Sequence, residues 1–220
     1  MDIETYVGRR LSYEGHLCTV RYYGPLAGSS GSWLGVEWDN VSRGKHSGKH
    51  KGEQIFICRS KSTTAASFIR PTRKADPELT VLEAIRFKYG MGSADGTSEN
   101  KVVVISGKVA EEVGFDKIAR EQAQLTKLRI VLIDQMVVNG IVPRGSTATS
   151  ILHAQKELGK TCPNITELDI GWNTIENWSQ VLEICAALPK LTTLRVGYAI
   201  EATFHFFAYP LQWLAFCVAF

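Results

Sequence analysis

The rhythm of hydrophobic positions changes along the chain. Up to about residue 75 they come in short runs broken by glycine: Leu17-Cys18-Thr19-Val20-Arg21-Tyr22-Tyr23, Trp33-Leu34-Gly35-Val36-Glu37-Trp38, Gln54-Ile55-Phe56-Ile57-Cys58 and Ser67-Phe68-Ile69-Arg70. Nine of the nineteen glycines fall at or before Gly52. Short β-prone runs with glycine turns predict a small all-β barrel or sandwich over residues 1–75. The rhythm then turns helical. Asp76-Pro77 supplies a cap followed by proline at the first helical position, and Leu79, Leu82, Ile85 and Tyr89 recur at helical spacing. Gly90 to Asn100 reads as a linker, so residues 76–100 are a helix and its tether.

Residues 101–200 carry a repeat. Ile165-x-x-Leu168-x-Ile170-x-x-Asn173-x-Ile175 fits the leucine-rich pattern in full. Leu191-x-x-Leu194-x-Val196-x-x-Ala199 follows 26 residues later and lacks only the Asn. A degenerate copy, Leu128-x-x-Val131-x-Ile133-x-x-Met136-x-Val138, starts 37 residues earlier, with an insertion around Gly140–Lys160. In such a unit a short parallel strand buries Leu168 and Ile170, and Leu194 in the next copy. The Asn173 amide satisfies backbone groups at the following turn. Asn177 to Leu188 is expected to return as a helix with Trp178, Val181, Leu182 and Cys185 inward. Stacked copies then share a core that one copy cannot make alone. Glu167, Asp169, Thr193 and Arg195 are expected on a concave, protein-binding face.

Residues 201–220 break the period. From Ala202 to Phe220 there is no charged side chain, and seven of the 21 aromatic residues lie there. The expectation is an array cut short, with an unrelated apolar tail that lowers solubility. Membrane insertion is not expected, because His205, Pro210 and Gln212 interrupt the stretch and basic flanks are lacking.

Charge sharpens the division. Residues 1–75 hold twelve basic and six acidic side chains, whereas the remainder holds thirteen and sixteen. A basic module precedes a mildly acidic one, which points to an acidic partner for the first. The five cysteines, at 18, 58, 162, 185 and 217, have no C-x-x-C spacing. Reduced thiols in a cytosolic protein are the plain reading, with no disulfide framework, metal site or cofactor expected. Hydrolase, phosphate-binding-loop and metalloprotease motifs are lacking, so an enzyme is not expected. Nucleic-acid binding is not expected either, despite Phe56 and Phe68 among basic residues.

Several ordered motifs carry a family resemblance. Trp33-Leu34-Gly35-Val36-Glu37-Trp38-Asp39-Asn40, Gly44-Lys45-His46-Ser47-Gly48, Ile55-Phe56-Ile57-Cys58 and Ser67-Phe68-Ile69-Arg70-Pro71 resemble a CAP-Gly domain over roughly residues 5–72. The resemblance implies an SH3-like barrel that binds acidic, aromatic-ended C-termini such as the Glu-Glu-Tyr end of α-tubulin. His46 stands where that family usually has Asn, and Ser47 where it has Asp. A CAP-Gly domain followed by an α/β leucine-rich-repeat segment resembles the tubulin-folding cofactors. This implies a cytoplasmic, cytoskeletal chaperone with α-tubulin, the αβ-tubulin heterodimer and other tubulin-folding cofactors as partners. Further repeats and a ubiquitin-like domain of that family have no counterpart here. The alternative is a microtubule plus-end or dynein-adaptor CAP-Gly protein, a class usually joined to coiled coils, which lack support in the heptad pattern.

The residues fit such a ligand on physical grounds. Residues 41–75 contain nine basic side chains and one acidic one, Glu53, a field that raises the on-rate of an acidic tail. Lys45 is the candidate for a ligand carboxylate. His46 is the candidate donor to the terminal carboxylate or peptide backbone; if it donates from its charged form, affinity is expected to rise as pH falls through ~6.5. Trp33, Trp38 and Phe56 are the candidate ring-accepting groove. Gly44 and Gly48 are expected to adopt positive φ and let the peptide approach the backbone.

Overall fold

A computed structural model of the chain describes residues 6–90 and 124–197. The linker predicted over 90–100, apart from Gly90, and the apolar tail 201–220 lie outside them.

The first module is a four-stranded antiparallel sheet in the order β1-β2-β3-β6. Its strands are β1 (Arg10–Tyr13), β2 (His16–Pro25), β3 (Ser32–Trp38) and β6 (Ala66–Ile69). A two-stranded hairpin, β4 (Lys49–His50) with β5 (Glu53–Gln54), stands beside it. Tyr13, Cys18, Val20, Leu34, Val36, Trp38 and Ile69 form the core. β3 is paired on both edges and buried from Leu34 to Trp38, which explains why its sequence is a near-continuous apolar run. The predicted strand over residues 54–58 is shorter than expected. Past Gln54 the chain leaves the ladder, and the Ile55 and Phe56 amides both donate to the Gly48 carbonyl.

The predicted helix start at Asp76-Pro77 is not where the helix begins. Leu79–Thr80 is a strand, β7, parallel to β9 (Val138–Gly140). Helix α1 (Val81–Ile85) is capped by Thr80 and Glu83 in a reciprocal capping box and runs into a π-helical turn, Arg86–Gly90. Asp76 is engaged elsewhere. Its carboxylate accepts from the Ser12 hydroxyl and from the Glu14 and Gly15 amides of the β1–β2 turn. Burial opposes its charge, but these hydrogen bonds, with the nearby Arg73 cation, hold the carboxyl below its ordinary pKa.

The second module is a three-stranded parallel sheet in the order β11-β10-β8. Its strands are β8 (Ile130–Leu132), β10 (Glu167–Asp169) and β11 (Thr193–Arg195). The register aligns Val131, Leu168 and Leu194 side by side, and all three are buried. Helix α2 (Ala148–Thr161) runs between β8 and β10, and α3 (Trp178–Ala186) between β10 and β11. The segment read as an insertion is thus largely the returning helix of its own unit. In α3 the inward face is Val181 and Ile184, whereas Leu182 is 41% exposed. Trp178 and Cys185 pack against the core only partly buried. The sequence reading had Leu182 inward and omitted Ile184; the error is one of helical phase.

Asn173 shows why an amide stands at the turn after β10. It is fully buried, and its side-chain oxygen accepts from the Met136 and Val138 amides while its nitrogen donates to the Ile133 and Ile170 carbonyls. One side chain supplies two donors and two acceptors to the backbone of two adjacent units, which a carboxylate or an apolar residue cannot do.

Polar groups join the two modules. The buried Arg10 guanidinium makes a two-pronged pair with Asp39 and also donates to Thr19 Oγ1 and the Asn173 carbonyl. Its amide donates to Glu176. Arg144 bridges Glu78 and Glu176 and reaches the carbonyls of Arg10 and Thr174.

Candidate functional site

The glycine loop is shaped by the chain's own backbone. A 3₁₀ turn, Val41–Arg43, is capped by Asn40, whose side chain accepts from the Ser42 amide. Gly44 follows with φ −79° and ψ −179°, an extended conformation rather than the positive φ expected. It is glycine for a different reason: a Cβ there would collide with the Thr64 carbonyl oxygen and, at 2.5 Å, the Ala66 amide nitrogen. This close approach lets the Lys45 and His46 amides both donate to the Ala66 carbonyl, while the Ala66 amide donates back to His46. Gly48 does take a positive φ, +87°, and a Cβ there would strike the Phe56 carbonyl oxygen. At both positions the close neighbour is the domain itself. Gln54 completes the loop, its side-chain nitrogen donating to the Ser47 and Phe56 carbonyls.

Rings gather behind this loop. His46 stacks on Phe68 with centroids 4.6 Å apart, and Phe56 meets Phe68 edge-on at 5.7 Å. His50 closes on the other side of Phe68 at 5.8 Å. Gly35 sets the height of the cluster, since a Cβ there would enter the Phe56 ring. His46 Nδ1 accepts the Gly48 amide at 3.0 Å. Burial, and secondarily the neighbouring His50, lower its pKa. The geometry therefore favours a neutral imidazole with its proton on Nε2, not a charged donor. The ring does locally what a short polar side chain does in such a turn, tying down a backbone amide two residues on.

Lys45, with Arg43 and Arg73, lies beside Phe68. Lys45, Lys49, Lys51, Lys61 and Lys74 are exposed, and none makes an ion pair among the described residues. A small open hollow of about 130 Å³ is lined by Trp38, Arg43, Lys45, Ser67, Phe68, Ile69 and Arg73.

The structure brings Gly44, Lys45, His46, Gly48 and Phe56 together around the start of β6. Trp38 borders the hollow but is 3% exposed, and its ring nitrogen donates to Ser67, so it serves mainly as core. Trp33 is half-buried. Its ring is covered by the Arg70 guanidinium at 3.7 Å and its nitrogen donates to Ser29. The repeat residues Leu168, Ile170, Asn173 and Leu194 sit together in the second core, away from this loop. Four residues of the site were missed in the sequence: Phe68, Gln54, Arg43 and Arg73. Phe68 had a visible signal, as an aromatic residue lying with Phe56 among basic side chains, and Arg43 and Arg73 belong to the basic stretch 41–75; Gln54 had none.

Residues 7–74 match the CAP-Gly domain family. The match takes in nearly all of the first module. The chain is similar to tubulin-specific chaperone E of Bos taurus, with 37% identity over 192 residues, covering 87% of this chain and 34% of the relative. The Homo sapiens protein of the same name is 37% identical over 194 residues, with the same coverage, and that of Drosophila melanogaster 35% identical over 195 residues. The chain spans about a third of the length of the curated relatives it matches. Because the similarity extends over 87% of the chain, it takes in residues beyond the CAP-Gly domain.

Proposed function

We propose that this chain is a non-catalytic, tubulin-binding chaperone module whose CAP-Gly domain captures the acidic, aromatic-ended C-terminus of α-tubulin. The observation that carries this reading is the juxtaposition of exposed Lys45, without an ion pair among the described residues, with a ring cluster formed by His46 of the same loop, Phe68 of β6 and Phe56. Lys45 meets a ligand carboxylate, half-buried Phe68, backed by buried Phe56, packs against the terminal aromatic side chain, and neutral His46 donates from Nε2. The surrounding lysines raise the encounter rate with an acidic tail. The names of the relatives support tubulin as the protein class bound.

The second module is read as leucine-rich repeats. Its in-phase parallel strands, returning helices and Asn173 turn support that reading. Its strand face adds contact area to the same partner, and the function is assistance in folding, assembly or dissociation of αβ-tubulin heterodimers with other tubulin-folding cofactors in the cytoplasm. Among the described residues no helix is long and apolar enough to cross a membrane. The test is a pulldown with the full chain. Intact α-tubulin should be retained, α-tubulin lacking its terminal Tyr should be retained several-fold less, and single-stranded RNA should stay in the flow-through. Equal retention of both tubulins would contradict the reading.

A further inference from the structure

The β1–β2 hairpin turns through Glu14 and Gly15, with φ of +56° and +77°. Such two-residue turns favour Asn, Asp or Gly, so a Glu at positive φ is uncommon and mildly strained. Asp76 holds the turn from below by accepting both its amides. The Glu14 side chain is thereby aimed across the module. One carboxylate oxygen accepts from Arg43 at 2.8 Å and the other from Arg73 at 2.7 Å. Both arginines line the hollow beside Lys45 and Phe68. Arg43 also lies over the Trp38 ring at 5.3 Å, and its Nε is buried without a hydrogen-bond partner.

We propose that Glu14 is an internal competitor: it occupies Arg43 and Arg73 until a carboxylate of the acidic ligand displaces it. The inference rests on the functional reading above and adds a specificity residue to that site. Two arginines bridged by one carboxylate form a ready receptor for an acidic side chain, because guanidinium and carboxylate geometries match. Glu14 is suited to leaving. Its side chain is 67% exposed, so water receives it at little cost and the pairs that hold it are weak. It therefore tunes affinity rather than locking the site. It also sets a threshold, since a ligand with one acid gains from Lys45 alone, whereas a second acid must win the arginines from Glu14.

The test titrates synthetic peptides ending in Glu-Glu-Tyr and Gly-Gly-Tyr into the full chain and into Glu14→Gln, Arg43→Gln/Arg73→Gln and the triple variant. Thermal denaturation confirms that each folds. Glu14→Gln should bind the Glu-Glu-Tyr peptide about three- to fivefold tighter, the scale of an exposed ion pair. The gain should be lost for Gly-Gly-Tyr and when both arginines are replaced. Unchanged or weaker binding by a folded Glu14→Gln chain overturns the competitor role while leaving the CAP-Gly reading intact. Absence of binding by both the parent chain and Glu14→Gln overturns the two together.

Discussion

Gly44 and Gly48 occupy one loop for different physical reasons, and this separates their substitutions. Gly44 is extended, so alanine is conformationally allowed there, but its methyl group would enter the backbone at Thr64–Ala66. Backbone cannot rotate aside, and Gly44→Ala is expected to destabilise the domain by about 2–3 kcal/mol. Gly48→Ala combines a clash with a disfavoured φ and should cost at least as much, about 3 kcal/mol. Urea unfolding followed by tryptophan fluorescence measures both, and variants as stable as the parent would show that the loop is not packed against Thr64–Ala66 at Gly44 or against Phe56 at Gly48. His46 supplies the pH dependence. Its folded pKa lies below the ordinary value of about 6.5, so the unfolded chain binds more protons in that range. The stability tied to this group is complete above about pH 6.5 and drains as pH falls toward the folded value. His46→Asn keeps an acceptor near Gly48 without titrating. Between pH 7.5 and 5.5 the parent should lose more melting temperature than this variant; equal losses would remove His46 as the source. What the sequence disclosed at this scale was residue type, not geometry. Gly, Lys and His in that spacing mark a ligand loop, but whether a glycine is needed for φ or for closeness depends on a strand twenty residues away.

At the scale of elements, the buried hydrophobic positions of the second module were more legible than the helix starts. Leu168 and Ile170 alternate at strand spacing, and they are buried together with Ile165 and Leu194, because hydrophobic period alone decides which face turns inward. Asp76-Pro77 looked like a helix start because its local chemistry is that of a cap. The carboxylate is instead used by the Ser12–Gly15 turn, a contact 61 to 64 residues away in sequence that no local window reveals. The capping box at Thr80 and Glu83 was there to be found, four residues later. Asn173 carries the sharpest prediction for an element. Asn173→Ala would leave four backbone groups of two units without partners in a dry core, and should cost about 3–5 kcal/mol. Asn173→Asp should also destabilise, since it loses both donors and buries a charge. Chemical denaturation of the two variants gives the answer. A loss under about 1 kcal/mol for Asn173→Ala would mean that the turn is held by something else.

For the whole molecule, the consequence lies in how the two modules meet. Arg10, Asp39, Glu78, Arg144 and Glu176 come from distant points in the sequence and form one continuous polar junction. None of them stood out beforehand, because a lone charged residue in a sequence carries no sign of its partner. Arg144 is about one-fifth exposed, so salt screens its pairs poorly. Arg144→Met leaves the Glu78 and Glu176 carboxylates facing each other and should cost about 2–3 kcal/mol, with the two modules then unfolding in separate steps. A single transition at the parent's midpoint would show that the junction is held by other contacts. The account as a whole depends on Lys45 and the rings beside it gripping an acidic, aromatic-ended chain terminus. Isothermal titration of a Glu-Glu-Tyr peptide into the full chain and into Lys45→Glu tests this most directly. The account predicts saturable one-to-one binding by the parent and its loss in a Lys45→Glu chain that still melts at the parent's temperature. Equal affinity for the two chains would contradict it.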